Sequence, residues 1–221
     1  MNSFMSWFSK LFISPVISAL FIKEIRGREN IPAHNFILAS NHQSHLDLVV
    51  NGSLCVPRKF RFIGQVDQYT GFEGFLRDVI YFLSGTIPMD RKNRESKDRA
   101  LAVASDTLKK GESIIVFPEG TRSRTGQMGK GKKGVAWLMM SSRIPVLPVA
   151  ISGAFELMPP GGKIQIKKNI RINIGKTLYF PDLVEKASKA EVFSEEYLGT
   201  LQEITDKIMA EIAKLKSEIE G

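Results

Sequence analysis

The chain has 221 residues, enough for one ordinary domain with a buried core, and at 43% hydrophobic it excludes wholesale disorder. Lysine and arginine outnumber aspartate and glutamate by 31 to 23, a net charge of +8 that suits an anionic partner: nucleic acid, a phosphorylated substrate or an anionic membrane. The single cysteine, Cys55, excludes an intrachain disulfide and fits a reducing compartment, and three histidines beside it are too few for a conventional metal site.

The first 22 residues crowd together Phe4, Trp7, Phe8, Leu11, Phe12, Ile13, Val16, Ile17, Leu20, Phe21 and Ile22, broken only by Lys10 and Pro15 among a few small polar residues. A spanning helix wants about 20 predominantly apolar residues, and this segment is marginal. It lacks the positive n-region and small-residue cleavage site of a signal peptide. Aromatic density around a mid-segment lysine predicts a helix lying in the membrane interface. The alternative use of the same residues is a helix packed on a soluble core.

Short β-like runs then alternate with helical patterns. Strands are expected at 36–40, 60–63, 86–90, 113–117, 146–151, 164–166 and 170–174, the last two as antiparallel neighbours across Lys167-Lys168-Asn169. The run 113–117 is almost wholly apolar and therefore central. Helices are expected from Leu46 to about Cys55, over 72–83, over 96–109 with Gly111 as its stop, and over 134–142. Strand–helix alternation predicts an α/β fold: a mixed, mostly parallel sheet flanked by helices. The last 28 residues carry Tyr197, Leu201, Ile204, Ile208, Ile212, Leu215 and Ile219 at steps of four and three behind the N-cap Ser194. They form one amphipathic helix whose stripe packs on the sheet domain. The organisation expected is a membrane-associating segment over 1–24, an α/β domain over 25–192 and the C-terminal helix over 193–221.

The chemistry concentrates in four stretches. In Asn41-His42-Gln43-Ser44-His45-Leu46-Asp47, His42 and Asp47 stand five positions apart. On a regular helix such residues diverge by about 140°. They meet only if His42 lies in a turn before the helix and Asp47 in its first turn. Asp47 then engages one ring nitrogen and leaves the other as a general base. The same residues also fit plain capping, with Ser44 as N-cap and Asp47 three positions on. Phe117-Pro118-Glu119-Gly120-Thr121-Arg122-Ser123 follows the central strand, where α/β sites are built. Gly120 admits close approach, and Arg122 offers a fork for phosphate or carboxylate, although Glu119 and Arg122 could simply pair. Gly85 to Arg91 delivers a second arginine after a strand. The loop Gly126 to Gly134 is glycine-rich and basic and could hold an anion at a helix start, but it lacks the Walker spacing. Ile144 to Val149 carries Pro145 and Pro148, which suits an edge or terminal strand. The charges are scattered, without the basic stripe and aromatic interleaving of a nucleic-acid binder.

Four blocks in this order, Asn41 to Asp47, Gly85 to Arg91, Phe117 to Ser123 and Ile144 to Val149, resemble the 1-acyl-glycerol-3-phosphate acyltransferase family over roughly residues 25 to 180. The resemblance implies that His42 is the general base and Asp47 its orienting partner. It implies that Arg91, Gly120, Thr121 and Arg122 hold an acceptor phosphate, that Glu119 helps position the acceptor or the arginines, and that Pro148 shapes the acyl side. It implies acyl transfer from acyl-coenzyme A or acyl-carrier protein to lysophosphatidic acid, giving phosphatidic acid, with no cofactor and no metal. The expected setting is the cytoplasmic face of a lipid membrane, as a monotopic protein. His45 receives no role. The family commonly has a lysine after the second strand where this chain has Gln65, a departure that favours a different lysophospholipid or a glycolipid as acceptor. A non-catalytic basic membrane-binding module is the reading from another class.

Overall fold

The computed structural model describes residues 3–65, 81 and 85–220. The helical pattern of 72–83 rests on apolar residues that lie outside these. Helices α1 (Ser3–Phe8) and α2 (Ser14–Phe21), joined by a π-helical turn, lead into strand β1 (Ile22–Arg26). Then follow β2 (Ile37–Ser40), α3 (Leu46–Cys55), β3 (Phe60–Gln65), β4 (Ile87–Met89), α4 (Arg94–Lys109), β5 (Ser113–Val116), α5 (Gly134–Ser142) and β6 (Val146–Ser152). The chain closes with α6 (Ala154–Leu157), β7 (Ile170–Ile174), α7 (Pro181–Lys189) and α8 (Glu195–Ser217).

The seven strands form one sheet in the order β1-β7-β6-β2-β5-β3-β4. The five from β6 to β4 run parallel, and β7 pairs antiparallel with β6, with β1 parallel to β7. The sheet is thus mixed and mostly parallel. The period-two alternation of the inner strands feeds two cores. Ile37, Ala39, Ile114 and Val116 face α4, α5 and α8, whereas Phe36, Leu38 and Ile115 face α3. Helix α8 starts where Ser194 accepts from the Tyr197 N–H at 3.1 Å. All seven residues of its expected stripe, Tyr197 to Ile219, are buried.

Three local expectations fail, each for a long-range reason. Residues 164–166 form no strand: Ile164 and Ile166 are 49% and 70% exposed. The antiparallel partner of β7 is instead β6, with Val149 opposite Ile174 and Ser152 opposite Arg171. Pro148 stands in an interior strand, not at an edge. Its carbonyl accepts from Gly175 N–H at 2.9 Å, just past the end of β7. The nitrogen and carbonyl of one strand residue face the same neighbour, so the missing N–H falls on that side and leaves the ladder to β2 intact. Finally, Ile22 ends the N-terminal apolar run by opening β1, beside Ile170.

Candidate active site

The chain leaves β2 through α3 toward β3, and leaves β5 through α5 toward β6, with α3 and α5 on opposite faces of the sheet. The carboxyl ends of β2 and β5, adjacent strands whose connections part in opposite directions, therefore bound a crevice of the kind that binds ligands in open α/β sheets. Asn41 closes the floor. Its amide donates to the Ile151 carbonyl at 2.9 Å and accepts from the Ile151 N–H at 2.8 Å, continuing the β2–β6 ladder with a side chain.

His42 follows in irregular backbone before α3, and Asp47 sits in the first turn, the arrangement the five-residue step requires. His42 Nδ1 lies 3.0 Å from Asp47 Oδ2. The same oxygen accepts the N–H groups of Gln43 at 2.6 Å and Ser44 at 2.7 Å. Orienting and capping are thus one structure: the carboxylate that reaches back to the Ser44 N–H is the one that holds the imidazole. Ser44 Oγ accepts from Leu46 N–H and donates to the Met158 carbonyl at 2.8 Å. The His42 side chain is 10% exposed and that of Asp47 fully buried. With Nδ1 engaged, Nε2 is the nitrogen left for a substrate proton. His45 is exposed at the helix start.

The stretch after β5 supports this pair from behind. The Phe117 ring stacks on His42, centroids 3.9 Å apart and planes 14° from parallel. Glu119 is buried and forms no ion pair with Arg122. Its Oε1 accepts from the His42 backbone N–H at 2.8 Å and its Oε2 from Gly129 N–H at 2.7 Å. Burial raises its carboxyl above the usual glutamate value, and these two N–H donors pull the other way. Ser123 N–H donates to the His42 carbonyl at 2.8 Å, and the Gln43 amide reaches the Gly126 carbonyl. The loops after β2 and β5 are thereby fastened at four points. Sequence reasoning missed the clamp by Glu119 and the stacking by Phe117. The only local sign was an aromatic ring and a carboxylate two positions apart at a strand end.

Gly120 has φ +70, the left-handed region, and a Cβ there would meet Lys132 Nζ at 2.9 Å. The glycine therefore lets the Lys132 side chain lie over the turn. Thr121, Arg122, Arg124 and Lys130 line a cavity of about 520 Å³ whose wall includes Glu119. Because Glu119 is committed to backbone donors, three cationic side chains set the charge of this cavity, which suits a phosphate or a carboxylate. Arg91 follows the edge strand β4, two strands along from β5, and its N–H donates to Gln65 Oε1 at 3.0 Å. Pro148 packs at Gly175 beside Leu215, on the α8 side of the sheet, and is not among the groups gathered at the imidazole.

A family model described as Acyltransferase matches residues 23–152. The chain is 31% identical over 208 residues to the chloroplastic 1-acyl-sn-glycerol-3-phosphate acyltransferase BAT2 of Brassica napus, covering 91% of this chain and 56% of the relative. It is 28% identical to a 1-acyl-sn-glycerol-3-phosphate acyltransferase of Pseudomonas aeruginosa, covering 84% of this chain and 72% of that one. The crystal structure of the 1-acyl-sn-glycerophosphate (LPA) acyltransferase PlsC of Thermotoga maritima has the same fold, with TM-score 0.62 and 26% identity over 96% of this chain and 78% of that one. The chain spans about half the length of the plant relatives it matches. The match over residues 23–152, more than half of the sequence, leads to one conclusion: the chain belongs to the acyltransferase family.

Proposed function

We propose that this protein transfers a fatty acyl group from acyl-coenzyme A or acyl-carrier protein to the free hydroxyl of lysophosphatidic acid, giving phosphatidic acid. The observation that carries the reading is the His42–Asp47 pair at 3.0 Å, built into a buried turn. His42 Nε2 takes the proton of the acceptor hydroxyl as its oxygen attacks the thioester carbonyl. The tetrahedral intermediate collapses, the carbon–sulfur bond breaks, and the departing sulfur takes the proton back from the imidazolium, which Asp47 stabilises meanwhile. A thioester is already activated, so alignment and proton removal suffice. Arg122 and the Gly120–Thr121 turn receive the acceptor phosphate, with Arg91 approaching from the β4 side, and Glu119 acts through the His42 backbone. Pro148 stiffens β6 behind the acyl side.

The acceptor is a membrane lipid, and the N-terminal segment suits a protein that lies on a bilayer at its cytoplasmic face. Trp7, Leu11, Phe12 and Val16 are 53% to 61% exposed, an apolar stripe on α1–α2. Among the described residues no helix is long and apolar enough to cross a membrane. A second acceptor reading, another lysophospholipid or a glycolipid, is favoured by Gln65: where the family commonly has lysine, an uncharged side chain is bonded to the Arg91 backbone. Thiol release from both donors, measured across a panel of lysolipids, separates these. Turnover with lysophosphatidic acid well above the other acceptors is expected; preference for an acceptor without a phosphomonoester would overturn the substrate, and no thiol release with any acceptor would overturn the enzyme.

A further inference from the structure

The segment between α6 and β7 has no regular structure, yet it displays Lys163, Ile164, Ile166, Lys167 and Lys168, all exposed. Ile164 and Ile166 stand 49% and 70% in solvent, the latter the most exposed of the large apolar residues described. Ile164 and Ile166, with Gln165 between them and Lys163, Lys167 and Lys168 on either side, form a small apolar patch with a cationic collar. Both ends of the segment are tied to features already described. At its start, the Met158 carbonyl accepts the hydroxyl of Ser44, inside the His42–Asp47 turn, at 2.8 Å. At its end, Asn169 N–H donates to the Phe21 carbonyl at 3.0 Å, the last residue of α2. Because β1 and β7 run against the other strands, both β1 and β7 begin at the carboxyl end of β6, the end that carries His42.

We infer that residues 158–168 are a second membrane-contact element, and that its partner is an anionic lipid bilayer. The inference rests on the membrane-associated reading of the N-terminal stripe. Ile164 and Ile166 enter the interface, and Lys163, Lys167 and Lys168 take the phosphates of anionic headgroups. Continuity selects this occupant: the exposed stripe of α1–α2 ends at Leu20, and the hydrogen bond from Asn169 to Phe21 joins the loop to it. Charge selects it too, since three lysines surround the patch and no acidic residue interrupts 158–168. The element thereby fixes the distance of the imidazole from the lipid surface, through Met158 and Ser44. The N-terminal helix alone would tether the protein while leaving the site free to tilt away.

The test places an environment-sensitive fluorophore on Ile166→Cys in the full chain. The native Cys55 is fully buried and does not compete for the label. A second label on Lys189→Cys, exposed on α7, serves as the control. With vesicles of phosphatidylcholine and phosphatidylglycerol, the label at 166 shifts to the blue and is quenched by brominated acyl chains, while the control label is unchanged. Replacing Ile164 and Ile166 together by serine lowers vesicle partitioning by roughly tenfold or more. Changing Lys163, Lys167 and Lys168 to glutamine lowers it about fivefold per lysine on anionic vesicles only. A protein that sediments with vesicles while its residue-166 label emits as in water overturns the inference and leaves the membrane reading standing. A protein that sediments with no vesicle overturns both. A shifted label with no effect of the lysine changes overturns the anionic headgroup as partner.

Discussion

The loops after β2 and β5 leave neighbouring strands at the same end of the sheet, yet they are built in opposite ways. From Asn41 to Asp47 every residue except His45 is buried, and one carboxylate oxygen gathers three donors. From Thr121 to Lys132 the chain is half-buried or exposed and carries Arg122, Arg124, Lys130 and Lys132. Under the proposed function, the contrast separates two demands. Proton transfer needs a ring fixed in place and shielded from water, which burial and hydrogen bonds supply. Phosphate capture needs accessible cations, which burial would forbid. Glu119 joins the two, one oxygen on the His42 backbone and the other on Gly129 of the cationic loop.

Substitutions should sort along that division. His42→Ala should lower kcat by about 10²–10⁴-fold with little change in KM for the acceptor, as loss of a general base does. Asp47→Asn should cost up to about 10⁴-fold in kcat by releasing the ring and its tautomer, with steady-state kinetics again the check. Arg122→Ala belongs to the exposed loop. It should raise the acceptor KM by the equivalent of about 1.5–3 kcal/mol, a charge-assisted hydrogen bond, and largely spare kcat. A change confined to kcat there would break the division.

Glu119→Gln tests the bridge, with a smaller effect on stability. The Glu119 carboxyl is raised in the folded protein, chiefly by burial. Folded protein then holds that proton more tightly than unfolded protein. Its contribution to stability is full below the ordinary glutamate value of 4.5 and is lost as pH rises through the raised folded value. Denaturant unfolding from acid pH to neutrality should show this slope in the native chain and lack it in Glu119→Gln. An identical slope in both would remove the raised carboxyl from the account. The smallest effect is silence at Cys55, whose thiol burial pushes up to about 12: native protein should not react with thiol reagents, and unfolded protein should.

What the sequence made legible follows from what is local. The step from His42 to Asp47, the Ser194 cap and the stripe of α8 each depend on neighbours within a few turns, and each appears in the structure. Strand β1 was hidden because Ile22 continues an apolar run and its partner, Ile170, lies in a distant strand. The exposed Ile164 and Ile166 have a strand's alternation but no strand to pair with. Pro148 in mid-sheet follows from where β7 ends, which no local rule registers. Helix α7 carries its end signals locally, with Pro181 and Asp182 in its first turn and Lys186 and Lys189 in its last. Glu119 beside Arg122 suggested an ion pair; only the fold brings the Gly129 and His42 N–H groups to the carboxylate instead.

If the buried His42–Asp47 pair is the base of an acyl transfer, removing the imidazole must abolish most of the turnover. Thiol release from acyl-coenzyme A in the presence of lysophosphatidic acid, compared between native protein and His42→Ala, tests it most directly. Circular dichroism and thermal unfolding on the same samples verify that both are folded. Turnover by the native chain and a loss of about 10²-fold or more in a variant of unchanged fold are expected. Equal turnover by the two folded proteins would contradict this role of the pair.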